Sequence, residues 1–327
     1  MKFTLSWLKD FLETDASLSD ISDKLNNIGL EVESIHDPDA KLGAFTVGRI
    51  VKAEKHPDAD RLKVCTVATK DGELQIICGA PNARADINIC LSVPGMYIPG
   101  LDITLKKGKI RGIESCGMLC SYEELGLEGD NTGIIELPEA AKIGDKVIDV
   151  LGINDPLIEI SITPNRPDAL GVYGIARDLA AAGLGKLKTV HIPDYKGAFK
   201  SPISVTVQHP ESCPHFVGAY ISGVKNVKAP DWMVKRLAAV GCSSHSALVD
   251  ITNYMSYSFA RPLHVFDADK IGKNISARLA KPDEEIISLK DISYHLEDKD
   301  IVIADEEKPH AIAGIMGGLE SGCSDDT

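Results

Sequence analysis

Aromatic side chains are scarce in this 327-residue chain, 5% of the total with only two tryptophans. Between residues 44 and 147 the only rings of this kind are Phe45, Tyr97 and Tyr122, so extensive base stacking is excluded there. No run of 18 apolar residues exists, which excludes an apolar helix that spans a membrane. The amphipathic start, Met1-Lys-Phe-Thr-Leu-Ser-Trp-Leu-Lys-Asp10, is interrupted by charge and does not read as a secretory signal. A positive balance is also missing: the net charge is −13, which argues against a general nucleic-acid binder. Of eight scattered cysteines only Cys116 and Cys120 are close, and no second pair completes a zinc site. No metal site is predicted, and the thiols read as reduced core residues of a cytoplasmic protein.

What is present begins with length. A chain of this size exceeds one ordinary core, so two or three domains are expected. Charge is uneven along it. Residues 41–111 hold twelve Lys/Arg against seven Asp/Glu, whereas 112–157 hold two against ten. A locally basic segment inside an acidic chain fits a restricted phosphate-contacting face, and a solvated surface gives the same count.

The pattern changes three times. Trp7, Leu8, Phe11 and Leu12, then Ile21, Leu25, Ile28 and Leu30, form helical stripes, with Ser17 and Ser19 as candidate caps and Gly29 as a stop. From about Ala44 to Val147 short β runs alternate with turn signals such as Asp71-Gly72, which predicts a small barrel. Ile158, Ile160 and Ile162 read as a strand. A helix follows from Pro167, with Leu170, Ile175, Ala176, Leu179 and Ala180 as its buried face and Asn165 and Asp168 as caps. This strand and helix complete the N-terminal piece, so the barrel is an insertion. Beyond a polar linker, Ile203-Val205-Val207, Phe216–Ile221 and Ile301–Ala304 read as strands and a helix starts at Pro230, a mixed α+β module. The expected division is 1–38 with 151–190, then 39–150, then 200–327.

Two stretches carry chemistry. Asp250-Ile-Thr-Asn-Tyr254 and Pro262-Leu-His-Val-Phe-Asp267 crowd polar groups among apolar ones. Thr252, Asn253 and His264 are of the right kind to converge on a small ligand, with Tyr254, Phe259 and Phe266 as walls; a satisfied core histidine beside a helix end is the alternative. Ala311-Ile-Ala-Gly-Ile-Met-Gly-Gly318 is a glycine turn that lacks the Lys-Ser/Thr of a phosphate loop and lets backbone approach a ligand closely.

The run from Asp250 to Asp267 resembles the editing-module signature of bacterial phenylalanyl-tRNA synthetase β subunits. Val47-Gly-Arg-Ile50, His56-Pro-Asp-Ala-Asp-Arg-Leu62, Ile77-Cys-Gly-Ala-Pro-Asn82 and Ile110–Ser121 resemble the oligonucleotide-binding barrel of the same family. The resemblance implies an α+β multidomain protein: an N-terminal unit with an inserted barrel that binds tRNA, then an editing module cut short at Thr327. It implies hydrolysis of mischarged tyrosyl-tRNA(Phe), with His264, Thr252 and Asn253 at the site and Pro262, Gly314, Met316, Gly317 and Gly318 lining it. Arg49, Lys52, Lys55, Arg61, Lys63, Lys106, Lys107, Lys109 and Arg111 are the expected tRNA contacts. The expected partner is an α subunit in an α2β2 assembly, which supplies the ATP and Mg2+ chemistry of aminoacylation; this piece alone is expected to be inactive in that reaction. A non-catalytic RNA-binding or structural subunit is the alternative. Ser243-Ser244-His245 and Ala260-Arg261 depart from the family's usual Arg-Pro and Gly-Gln at those places.

Overall fold

The computed structural model describes residues 1–327 and divides into two compact units, 35–157 and 1–34 with 158–327. The first unit is a curled antiparallel sheet. Its order is Met118–Leu119, Ile87–Ser92, Thr46–His56, Ala59–Thr69, Gly72–Cys78. The two ends of that order approach each other, because the Cys116 N–H donates to Gln75 O at 2.8 Å and Gln75 Nε2 donates to Glu114 O at 2.8 Å. The result is a small barrel, as the spacing of short runs predicts. Alternation puts Ile50, Cys65, Val67, Ile76, Ile89 and Leu91 inside, all buried. Gly48 has no side chain because Val67 Cγ1 and Ile89 Cδ1 would stand 3.0 and 3.1 Å from a Cβ there. All eight cysteines are free, and burial pushes the Cys65 thiol up to about 11.

The second unit starts with a three-stranded sheet in which Leu157–Ile160 lies between Lys2–Thr4 and Val32–His36. The chain thus leaves this sheet, builds the 35–157 unit, and returns to the strand it left. Two short helices lie between the outer strands. The Leu18–Asn27 helix opens with a reciprocal cap in which Ser17 Oγ accepts from the Asp20 N–H at 3.1 Å and Asp20 Oδ2 accepts from the Ser17 N–H at 3.0 Å.

The segment after the returning strand departs from expectation. Pro167–Leu170 is a 3-10 turn, and the helix proper is Val172–Ala181, so Leu170 faces solvent and does not join the buried face of Ile175, Ala176 and Leu179. Gly171 makes the break, because its bare Cα rests against the Ala260 backbone where any Cβ would overlap. Asn165 and Asp168 are not caps. Asp168 instead accepts from Arg166 at 3.0 Å and from Arg177, and the same Arg166 Nη2 also donates to Asp178. The Arg166 guanidinium holds the Asp168 carboxyl well below the usual carboxylate range.

In the last third, a mixed sheet runs Ser204–Val207, Asn274–Leu279, Ile301–Ala304, Pro309–Ile312, Met316–Gly317, parallel at the first pair and antiparallel after it. Residues 216–221 were expected in this sheet and form no strand; Phe216 packs on its core while Val217 and Ile221 stay exposed. The Asp231–Ala239 and Ala247–Phe259 helices cover the Leu5–Phe11 helix, and an aromatic seam joins them. Trp7, fully buried, stacks on Tyr254 with ring centroids 5.1 Å apart and planes 2° from parallel. Its Nε1–H donates to Ser258 Oγ at 3.2 Å. Phe11 meets Phe259 and Tyr173 edge to face, and Arg236 bridges Asp10 and the Tyr254 hydroxyl. This seam is why the N-terminal piece and the 200–327 module, read from sequence as separate, cluster as one unit.

Both tryptophans lie in that unit, so Trp232 remains as a fluorescent probe when Trp7 is removed. Trp7→Ala is expected to lower the unfolding free energy of this unit by about 3–5 kcal/mol, measured by urea denaturation. A loss under about 1 kcal/mol refutes the seam as its main clamp.

Candidate functional site

The Ala247–Phe259 helix presents its polar residues to different partners. Asp250 is fully buried and accepts from Ser244 Oγ at 2.5 Å and from the His245 N–H at 3.0 Å, so the departing 243–245 loop is folded back onto the helix. Thr252 Oγ1 donates to Val249 O at 2.7 Å within its own helix. Ser256, on the same face one turn later, donates to Thr252 O at 2.8 Å and to Arg261 O at 3.4 Å, and it accepts from the Leu263 N–H at 3.4 Å. Ala260 ends the helix in the left-handed region with φ 54°, and the chain turns toward His264.

His264 has one exposed side and one packed side. The packed side rests on Gly317, where a Cβ would overlap Cε1 and stand 2.9 Å from Nε2. Phe266 meets the imidazole edge to face with centroids 4.4 Å apart. These neighbours exclude water from part of the ring, and this burial pushes its pKa below the ordinary histidine value. The lowered pKa favours the neutral ring, whose nitrogen lone pair can accept from a water or a hydroxyl.

The structure brings His264, Gly317 and Phe266 together. No hydrogen bond joins Thr252 or Asn253 to His264, and Pro262 and Gly314 are exposed. Tyr254 and Phe259, expected as pocket walls, are not: both rings belong to the seam with Trp7 and Phe11. The amides of the glycine turn are largely committed. Ile315 N–H donates to Ile312 O at 3.0 Å and Gly318 N–H to His310 O at 2.8 Å. Gly317 and Gly318 thus serve close packing more than ligand donation, and half-buried Met316 pairs with Ile312.

Sequence reasoning missed two residues of this neighbourhood, Asp305 and His310. His310 Nε2 and Asp305 Oδ2 are 2.7 Å apart and both side chains are buried. Burial alone pushes the Asp305 carboxyl upward. The bonds from His310 and from the Lys308, Glu307 and Gly272 N–H groups outweigh it and hold the carboxyl well below the usual range. The signal was an aspartate able to cap its own turn, five residues before a histidine across a hairpin. No group of three His, Cys, Asp or Glu side chains stands close enough to hold a metal ion.

On the barrel the nine cations separate into two sets. Arg49 bonds Asp86 and Asn88, Lys52 pairs Glu54, Lys107 pairs Glu114, and Lys63 Nζ donates to Ala83 O and Pro81 O. Lys55, Arg61, Lys106, Lys109 and Arg111 are exposed with no carboxylate partner. His56 brings the turn holding Lys55 and Arg61 to the Gly108–Ile110/Ile113–Ser115 hairpin, since its Nε2 meets Ile110 O at 3.3 Å while its Nδ1 accepts from the Asp58 N–H at 3.1 Å. That side chain is a buried anchor for the turn.

Residues 45–146 match the family model of a tRNA binding domain, and 212–327 that of the B3/4 domain. Phenylalanine–tRNA ligase beta subunits align along the whole chain, that of Paramagnetospirillum magneticum at 54% identity and that of Bradyrhizobium diazoefficiens at 52%. Along its whole length the chain is similar to this β-subunit family. It covers 41% of each of these two relatives, so it spans about two fifths of their length. Among solved structures, an N-terminal fragment of the phenylalanyl-tRNA synthetase β subunit from Pyrococcus horikoshii aligns with 53% of this chain and 54% of its own, at 17% identity and TM-score 0.30. A MetRS related protein of the same organism aligns with 32% of this chain and 87% of its own, at 25% identity and TM-score 0.24. His264 lies inside the B3/4 match and the free cations inside the tRNA-binding match. No helix is long and apolar enough to cross a membrane.

Gly317→Ala tests the packing of His264. The added methyl is expected to displace the imidazole at a cost of about 1–3 kcal/mol, and the ring's NMR signals are expected to move. Unmoved signals would show that the ring does not rest on this glycine.

Proposed function

We propose that this chain forms the tRNA-binding and hydrolytic editing portion of a cytoplasmic phenylalanine–tRNA ligase. Its substrate there is tyrosyl-tRNA(Phe), and an α subunit carries amino-acid activation with ATP and magnesium. The observation that carries the reading is the His264 imidazole, packed against Phe266 and Gly317 within the B3/4 match.

The chemistry asks for such a site. A pocket selecting phenylalanine cannot strongly reject tyrosine, which adds one hydroxyl, so accuracy requires a second, hydrolytic site. That site must favour the phenol by hydrogen bonding it and must leave polar groups unpaired when phenylalanine enters. His264 acts as a positioner, accepting a hydrogen bond from the attacking water or from a ribose hydroxyl beside the ester. Thr252 and Asn253 stay in the proposal as substrate contacts. Thr252 takes part only by giving up its bond to Val249 O. Pro262, Gly314, Met316 and Gly318 belong to the two loops that flank His264.

The barrel contacts phosphates through Lys55, Arg61, Lys106, Lys109 and Arg111. With Phe45 buried and the Tyr97 hydroxyl bonded to Asp102 at 2.7 Å, charge contributes more than stacking.

Two measurements test the halves separately. Full-length subunit with its α partner should deacylate tyrosyl-tRNA(Phe), and His264→Ala should slow this by about 100-fold. Undiminished hydrolysis removes His264 from the site, and no hydrolysis by wild type favours a non-catalytic tRNA-binding subunit. In a salt titration of tRNA binding, the combined Lys106→Ala, Lys109→Ala and Arg111→Ala variant should reduce the log–log slope by about 3. An unchanged slope places the phosphates elsewhere.

A further inference from the structure

Beneath His264 lies a second imidazole. His310 is 1% exposed and sits on the Pro309–Ile312 strand, next to the Met316–Gly317 edge. Three contacts run from it toward the site. Its backbone oxygen accepts from the Gly318 N–H at 2.8 Å, which fixes the strand carrying Gly317. The same oxygen accepts from Ser321 Oγ at 3.3 Å, and Ser321 O in turn accepts from the Asp267 N–H at 3.0 Å. Its ring faces Phe266 edge-on at 6.3 Å, and Phe266 faces His264 at 4.4 Å. Both surfaces that hold the His264 ring, the Gly317 backbone and the Phe266 face, therefore rest on His310.

His310 itself is held by Asp305. That carboxylate has no freedom to leave, since it also accepts from the Glu307 N–H at 2.8 Å, the Lys308 N–H at 2.9 Å and the Gly272 N–H at 2.9 Å. A buried pair with this many satisfied bonds is stiff; removing Asp305 leaves the His310 ring unpaired, and removing His310 leaves the carboxylate one bond short. Neither side chain reaches the open side of His264.

We propose that Asp305 and His310 form a positioning pair that sets the orientation of the His264 imidazole through Phe266 and the Gly317–Gly318 backbone. The consequence for hydrolysis rests on the editing reading above, whereas the structural claim stands without it.

The test has two arms. In the 327-residue chain, the 1H–13C ring signals of His264 carry the ring-current shift of Phe266. His310→Leu fills the volume but cannot bond Asp305, and it should move those signals toward the position of free histidine. His310→Gln keeps a donor for Asp305 and should restore them. Signals unmoved by His310→Leu overturn the proposal. If circular dichroism shows that this variant does not fold, Asp305→Asn carries the same test, with unmoved signals again refuting it. In the full enzyme, His310→Leu should lower kcat for tyrosyl-tRNA(Phe) deacylation by about tenfold with KM unchanged, and His310→Gln should recover most of it. Loss of kcat in His264→Ala without any loss in His310→Leu sinks the positioning pair alone. No effect in either variant sinks the editing reading, and the NMR arm still decides the pair.

Discussion

The bond from the Trp7 indole N–H to Ser258, together with its stack on Tyr254, is the constraint on which the site depends. A buried indole must find an acceptor, and the Ala247–Phe259 helix supplies one at only one rotation. At that rotation Asp250 faces the 243–245 loop and Ser256 faces the 261–263 loop. A shift of one residue turns the helix by about 100°, which would strand the indole and release both loops. The Gly171 backbone against Ala260 fixes the end from which the chain turns toward His264. His264 is placed by contacts made some distance from it.

Much of this was legible in the sequence because period and turn chemistry are local. The Ser17 cap, the Gly29 stop and the Asp71-Gly72 hairpin formed as their residues predict, whereas Ser19, the other candidate cap, lies inside the Leu18–Asn27 helix. The seam was illegible for the same reason. Trp7 is separated from Ser258 by 251 residues, and nothing in either segment's pattern names its partner. Tyr254 therefore read as a pocket wall. Asp168 misled in a different way: a cap and an ion pair use the same carboxylate, and two arginines within ten residues outcompeted the helix N-terminus. At 216–221 the apolar run is genuine, yet an apolar run without a hydrogen-bonding neighbour forms no ladder.

Charge on the barrel deserves the same distinction between count and placement. Between Ile35 and Leu157 there are 14 Lys/Arg and 19 Asp/Glu, so the unit is net negative despite its basic stretch. At distances beyond a Debye length, about 8 Å at physiological salt, such a unit does not attract a polyanion. The five unpaired cations act only on a phosphate already close to them. This makes orientation, held by His56 at the hairpin, matter more than net attraction.

The sheet of Lys2–Thr4, Leu157–Ile160 and Val32–His36 has a consequence for synthesis on the ribosome. Its central strand is made more than 110 residues after Val32–His36, so the N-terminal strands emerge with no partner and must wait. At about 5–20 residues per second this delay lasts several seconds. The 35–157 segment contains all its own strand pairings and has time to fold in that interval. Once folded, it replaces a long flexible loop by a compact body, which lowers the loop-closure entropy of joining Leu157–Ile160 to its sheet. The inserted barrel thus acts as an internal folding template for the domain it interrupts, and slowing its folding would expose two unpaired edge strands to aggregation.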